Sequence, residues 1–309
     1  MKRKQRIREV RRKRKILFGI LTICILCLSV VLGGIKLKQA YDRKQEEKAR
    51  IAAEEERRRQ QEEEERRKLE ERLNVQIDMD IYSKAAIVKD VQNNKVLASK
   101  NAEERIYPAS MTKVLTALIA VEELSDLEEK IKIPVEEVLA EYERGASMAG
   151  FQPGEEVSAK DLLYGLMLPS GAECCTALAC KISGSEEAFA EKMNERAKEL
   201  GMLNSHFVNA SGLHEENHYT TVTDIMILLE QAIKNKTFYD IFTTRSYTTA
   251  PTAAETDGIT FESTMYDKKS TLEVTDGEIL GGKTGYTKAA GLCLASLAKV
   301  EGQEYILVT

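Results

Sequence analysis

Ser110 and Lys113 stand three positions apart in Ser110-Met111-Thr112-Lys113. On a helix, positions i and i+3 share a face, so the lysine amine can reach the serine hydroxyl. Such a pair suits nucleophilic acyl transfer, in which the hydroxyl attacks a carbonyl and a neutral amine takes its proton. A lysine becomes neutral near pH 7 when burial or a second cation lowers its pKa, and Lys283 is the available second cation. Ser170-Gly171-Ala172 adds another hydroxyl. Lys283-Thr284-Gly285, after Gly281-Gly282, reads as a strand whose lysine and hydroxyl can hold a carboxylate. Gly285 lets a substrate backbone approach, and the N–H groups of Ser110 and Tyr286 then serve as an oxyanion hole. The candidate site is therefore Ser110, Lys113 and Ser170, with Lys283, Thr284, Gly285 and Tyr286 for binding. Its chemistry is acyl transfer on peptides ending in a free carboxylate. Each triplet alone is weak evidence. An S-x-x-K arises about once by chance in a chain of this length, and Ser110 by itself reads as an ordinary N-cap.

These residues need elements to carry them. Pro108 precedes a helical pattern from about Ser110 to Leu124, with Val114, Leu115, Leu118 and Ile119 on one face. A second apolar helix is expected over Leu162–Leu168, ending near Pro169. A third runs from about Ser185 to Leu200 and stops at Gly201, a usual C-cap residue. Thr223 or Asp224 is the expected cap of a helix over Ile225–Lys234. Ala85–Val88 and Lys95–Ala98 flank Asn93-Asn94 and read as a β-hairpin. After Thr249 the pattern turns to strands, at Ile279-Leu280, Gly291–Val300 and Glu304–Thr309. A hairpin, then helices, then strands predicts an α+β fold with one antiparallel sheet. The chain stops within an apolar strand, Tyr305–Thr309. Read as an uncovered edge, that strand would invite association, so a domain over 74–309 that is C-terminally incomplete is expected.

The 309 residues carry a net charge of −5, unevenly spread. Residues 1–15 hold ten Lys/Arg and one Glu, leaving −14 on the rest. The folded part is thus acidic and has no basic stripe with interleaved aromatics, which argues against nucleic-acid binding. Ile16–Ile35 is an uncharged run of twenty residues, long enough to span a bilayer core. The basic flank Arg11–Lys15 predicts a cytoplasmic N-terminus and an external C-terminal bulk, with the chain held in the cell membrane by a single pass. An uncleaved signal anchor is favoured over a cleaved signal peptide, because the apolar run and the basic region before it are both long. Either way the rest of the chain crosses the membrane. Residues 36–73 are almost all charge, with i,i+4 pairs such as Glu54–Arg58 and Glu62–Arg66. As one solvated helix they would make a stalk of roughly 55 Å. A disordered charged linker would space the domain from the membrane equally well. Cys174, Cys175, Cys180 and Cys293 are expected as small buried hydrophobes, not as a disulfide framework. His214-Glu215-Glu216-Asn217-His218 satisfies H-E-x-x-H, which binds zinc only on a helix. Its flanks read as loop, so no metal or cofactor is implied.

The motifs occur together and in order: residues 105–113 (RIYPASMTK), 161–171 (DLLYGLMLPSG), 206–209 (HFVN), 212–214 (GLH), 218–221 (HYTT) and 282–285 (GKTG). On these, residues 80–309 resemble the D-alanyl-D-alanine carboxypeptidases, the low-molecular-mass penicillin-binding proteins of peptidase family S11. The resemblance implies a penicillin-binding transpeptidase-like fold, a helical cluster packed on an antiparallel sheet with the site between them. It implies Ser110 as nucleophile, Lys113 as base, Ser170 as proton relay and Lys283 as carboxylate anchor. It also implies peptidoglycan stem peptides as substrate and β-lactams as covalent inhibitors. Where the family usually has Ser-Gly-Asn, this chain has Ala172 in the third place. The lost amide opens the alternative of a weakly active or regulatory homologue, unless Glu173 substitutes. β-Lactam hydrolysis would need a deacylating glutamate, and Glu173 is the untested candidate.

Overall fold

A computed structural model describes residues 38, 43–44, 47–61, 63–64, 80–252, 254–266 and 276–309. Two compact units partition the chain, Met1–Glu70 and Glu71–Thr309. In the first, residues 47–61 are α-helical and exposed on every face. A helix with no buried stripe depends on its own i,i+4 charge pairs. The expected membrane span, residues 16–35, lies outside the described residues.

In the second unit one antiparallel sheet runs in the order β2-β1-β9-β8-β7. Its strands are β1 (Ala86–Asp90), β2 (Lys95–Lys100), β7 (Gly277–Thr287), β8 (Gly291–Val300) and β9 (Gln303–Val308). The predicted hairpin is β1–β2, with Asn94 in the left-handed region. The last strand is not an uncovered edge. β9 lies between β1 and β8 and pairs with both, so the apolar run ending at Thr309 is the centre of the sheet. Sequence alone could not place it there, because its two partners are separated by more than 200 residues. Two small sheets, β3–β4 (Lys130–Lys132 with Glu156–Ser158) and β5–β6 (Ser246–Thr248 with Thr260–Glu262), sit among the helices.

Among the described residues of the second unit, seven α-helices occur in order: α1 (Lys113–Glu123), α2 (Glu136–Glu143), α3 (Ala159–Met167), α4 (Ala172–Ser183), α5 (Glu186–Leu200), α6 (Val222–Ala232) and α7 (Lys236–Phe242). α1 is the hub. Its residues Lys113–Ala120 are all buried, and it packs against α3, α4, α5, α6 and α7. Its buried polar side chains, Lys113 and Thr116, are both hydrogen-bonded. α5 matches its expected bounds, with Ser185 accepting from the Ala188 N–H at 3.2 Å and Gly201 closing it at φ 86°. For α6 the cap is Thr221, whose hydroxyl accepts from Asp224 N at 3.0 Å, and not Thr223 or Asp224. Those two are buried in the first turn instead. α2, α4 and α7 were not anticipated. α4 is the informative one: Ala172–Ala179 are all buried, so no amphipathic period marks it. α6 packs on β1, β8 and β9, which fixes the helical cluster against the sheet.

Candidate active site

Ser110, the candidate nucleophile, sits on a tight turn and not on an α-helix. Ala109–Thr112 form a single 3-10 turn that runs directly into α1. Three residues per turn stack positions i and i+3 more directly than an α-helix does. The Lys113 amine accordingly lies 3.1 Å from Ser110 Oγ. It also donates to the Ser211 carbonyl at 2.6 Å, and the residue is only 2% exposed. Ser110 itself is half-buried and makes no capping bond, so the N-cap alternative fails.

The turn is buttressed from below. Ala109 has φ 46°, an uncommon left-handed value for a non-glycine residue. Its carbonyl accepts from Thr112 Oγ1 at 2.8 Å, and Thr112 Oγ1 lies 2.8 Å from His218 Nε2. Because Thr112 spends its proton on Ala109, His218 donates through Nε2. His218 Nδ1 in turn accepts from Val208 N at 3.2 Å. That pattern fixes a neutral imidazole. Burial, then repulsion from His206, His214 and Lys113, holds its pKa down to about 3.

His218 makes a pH prediction. An unfolded histidine titrates near 6.5, so between about pH 6.5 and 3 the unfolded chain binds a proton that the native state refuses. Stability is intact above that window and is lost as pH falls through it, by on the order of 5 kcal/mol from this residue. Urea melts of His218→Asn across pH 7 to 4 should show a shallower acid loss than wild type. Parallel curves would refute the assignment.

Ser170 lies between α3 and α4, at φ 72°. Its Oγ accepts from Lys283 Nζ at 3.0 Å, and Lys283 also donates to its neighbour's carbonyl, Thr284 O, at 2.9 Å. Lys283 is fully buried, at 0% exposure. Burial first, and the neighbouring Lys113 second, hold its pKa well below that of an ordinary lysine. Two amines in one buried site cannot both be charged without mutual repulsion. Thr284 is half-buried, and its hydroxyl lies 2.5 Å from that of Thr264. Tyr286 is 67% exposed on the same strand. Gly285 explains itself: a Cβ there would fall 2.9 Å from Ser110 N and 3.1 Å from Ala109 Cβ. Only glycine lets β7 run this close to the nucleophile turn. The structure therefore brings all seven predicted residues to one junction between helices and sheet.

The second motif departs from expectation in an instructive way. Ala172 is buried, and its N–H donates to the Ser147 carbonyl at 2.8 Å. Glu173 is turned to the backbone of a neighbouring segment. It is 1% exposed, and its Oε1 accepts from Ala149 N at 2.6 Å and Gly150 N at 2.8 Å.

The remaining sequence features resolve simply. His214–His218 runs as loop. His214 stacks edge-on against Tyr107 at 4.5 Å while His218 turns toward Thr112, so the two do not converge. Cys174, Cys175 and Cys293 are buried free thiols, and Cys180 is free and half-buried. Sequence reasoning missed Ser211, Thr112 and Ser147, whose contributions come from a carbonyl, a buried hydroxyl and another carbonyl. A main-chain oxygen leaves no residue-type signal. His218 stands in the sequence in an H-E-x-x-H pattern and in the HYTT motif, and neither signals its contact with Thr112.

A helical cluster on an antiparallel sheet, with a serine–lysine pair at their junction and a second serine–lysine pair beside it, defines the penicillin-binding class of active-serine proteins. The chain belongs to the D-alanyl-D-alanine carboxypeptidase family, whose model matches residues 70–309. It is 38% identical over 236 residues to the D-alanyl-D-alanine carboxypeptidase DacF of Bacillus subtilis, covering 73% of this chain and 56% of that protein. It is 34% identical over 218 residues to a D-alanyl-D-alanine carboxypeptidase of Streptomyces sp. strain K15, covering 68% of this chain and 74% of the relative. The chain thus spans little more than half the length of the Bacillus relative. The crystal structure of the Streptomyces K15 DD-transpeptidase superposes with a TM-score of 0.67 at 28% identity, over 75% of this chain and 91% of that one.

Proposed function

We propose that this chain is a membrane-anchored serine D-Ala-D-Ala carboxypeptidase that trims the terminal D-alanine from peptidoglycan stem peptides outside the cell. The observation that carries the reading is the 3.1 Å approach of Lys113 Nζ to Ser110 Oγ in a buried site, backed by family membership. Ser110 Oγ attacks the carbonyl joining the two D-alanines and passes its proton to Lys113. The N–H groups of Ser110 and Tyr286 receive the developing oxyanion. Collapse expels the terminal D-alanine, whose amine takes a proton through Ser170. Water then cleaves the acyl-serine ester and releases the shortened peptide. The substrate carboxylate lies at the Thr284 hydroxyl with the Lys283 amine behind it, where a charge-assisted bond favours a free C-terminus. β-Lactams acylate the same serine. Residues 16–35 supply the anchor, residues 1–15 stay cytoplasmic, and the charged helix spaces the domain from the bilayer. A weakly active role gains nothing from the geometry, because both serine–lysine contacts are formed despite Ala172.

The test is intact-mass spectrometry of the purified full chain after mixing with penicillin. Wild type should gain one persistent drug mass and Ser110→Ala none, with release of D-alanine from an acyl-L-Lys-D-Ala-D-Ala tripeptide abolished in the variant. Undiminished release by Ser110→Ala would sink the mechanism.

A further inference from the structure

Glu173 is a charged side chain immediately after a catalytic motif, buried to 1% exposure. Its Oε1 clamps two consecutive backbone amides, Ala149 and Gly150, across 24 and 23 residues of chain. Its Oε2 finds no hydrogen-bonding partner among the described residues. Burial pushes its pKa up, opposed by the bonds from the amides it holds. A carboxylate kept in so costly a place is held there by what it organises.

What it organises is the segment pressed on Ser170-Gly171-Ala172. The Ser147 carbonyl accepts from Ala172 N at 2.8 Å. A Cβ added to Gly171 would meet Ala149 Cβ at 2.7 Å, and both Ala149 N and Glu173 Oε2 at 2.9 Å. From the other side the Gly165 carbonyl accepts from Gly171 N at 2.8 Å. Ser170 needs this vice. At φ 72° it occupies a region that a non-glycine residue holds only when its surroundings over-determine it. Ala172 gives no side-chain hydrogen bond that could help. The motif's third position is tied by its N–H to the Ser147 carbonyl, and Glu173 holds Ala149 and Gly150 of the same segment.

We propose that Glu173 is a positioning residue for Ser170. It ties the Ser147–Gly150 segment to the start of α4 and so holds Ser170 Oγ on Lys283 Nζ. The proposal rests on the carboxypeptidase reading and adds a residue that never touches substrate.

The experiment measures the rate of Ser110 acylation by a fluorescent penicillin, and kcat and KM on the acyl-L-Lys-D-Ala-D-Ala tripeptide, for the full chain and its variants. Glu173→Ala should lower kcat and the acylation rate about 100-fold, the cost of misplacing a catalytic group by about an ångström, with KM changed little. Glu173→Gln keeps an oxygen for both amides and should stay within about 10-fold of wild type. In a Ser170→Ala background Glu173→Ala should add almost nothing, because both changes act through one group. A residue with only a structural role would lower the folded fraction without this non-additivity. If Glu173→Ala does not fold, Glu173→Asp keeps the charge but withdraws the acceptor by one methylene, and the same slowing is expected. Wild-type rates in folded Glu173→Ala or Glu173→Asp would overturn the proposal. So would Glu173→Gln as slow as the alanine variant, or additive losses with Ser170→Ala. Failure of wild type itself to acylate would instead overturn the carboxypeptidase reading on which the proposal depends.

Discussion

Lys113→Met should leave a folded protein that acylates with penicillin on the order of 10³ to 10⁴ times more slowly than wild type, the usual reach of a positioned general base. Methionine is unbranched and of similar length, so it fills the same buried channel along α1. What disappears is the group 3.1 Å from Ser110 Oγ. The substitution leaves the Ser211 carbonyl without its 2.6 Å donor, costing about 1–3 kcal/mol. It also removes a buried amine, and that relief offsets part of the loss. The thermal midpoint should therefore move far less than the rate. Stopped-flow acylation and calorimetry on one preparation separate the two effects. A folded Lys113→Met variant acylating at the wild-type rate would exclude Lys113 as the base and shift that role toward Lys283.

Replacing the other lysine should split differently. Lys283→Met removes the donor to Ser170 Oγ and the amine beside Thr284. Both the leaving-group proton and the substrate carboxylate lose a partner, so kcat/KM on the tripeptide should fall on the order of 10²- to 10⁴-fold, through kcat and KM together. Stability carries a second signature. The pKa of Lys283 is held well below the ordinary value by burial and then by Lys113. An unfolded lysine titrates near 10.4. Between the lowered value and about 10.4 the unfolded chain binds a proton that the native state lacks, so stability rises with pH across that window. Below the lowered value both states are protonated and the full penalty of burying the cation remains. Lys283→Met abolishes this rise, and it is neutral or stabilising below the window. Urea unfolding of wild type and variant from pH 6 to pH 10 should converge as pH increases. A constant gap would show that Lys283 titrates normally, and a kcat/KM within a few-fold of wild type would remove it from the site.

Much of the site is legible in the sequence because its logic is local. Ser110 and Lys113 meet through one helical turn, and their spacing alone sets the contact. The helix from Ser185 to Gly201 is equally local, since a capping serine and a left-handed glycine mark its ends in any context. The hairpin at Asn93-Asn94 and the strand runs near the C-terminus follow from turn chemistry and β-branched content. α4 is harder, because a helix buried all round carries no period to read.

By itself, then, the sequence determines the chemical inventory. It names a serine with a lysine one turn away, a second serine, a glycine-flanked strand lysine and an order of elements that makes a helical cluster on a sheet. Tertiary structure decides how that inventory is held. It places β9 between strands more than 200 residues apart, brings Lys283 to a serine 113 positions earlier, and turns His218 from a false metal ligand into the prop of the nucleophile turn. It also answers Ala172. Residue types announce an absent amide, but only packing reveals that Glu173 and the Ser147 carbonyl support the same backbone from outside the motif. The physical reason is one of range. Helix faces and turns are fixed by bonds a few residues long, whereas burial of a charge and the partner that permits it depend on chain segments that meet only when the core closes.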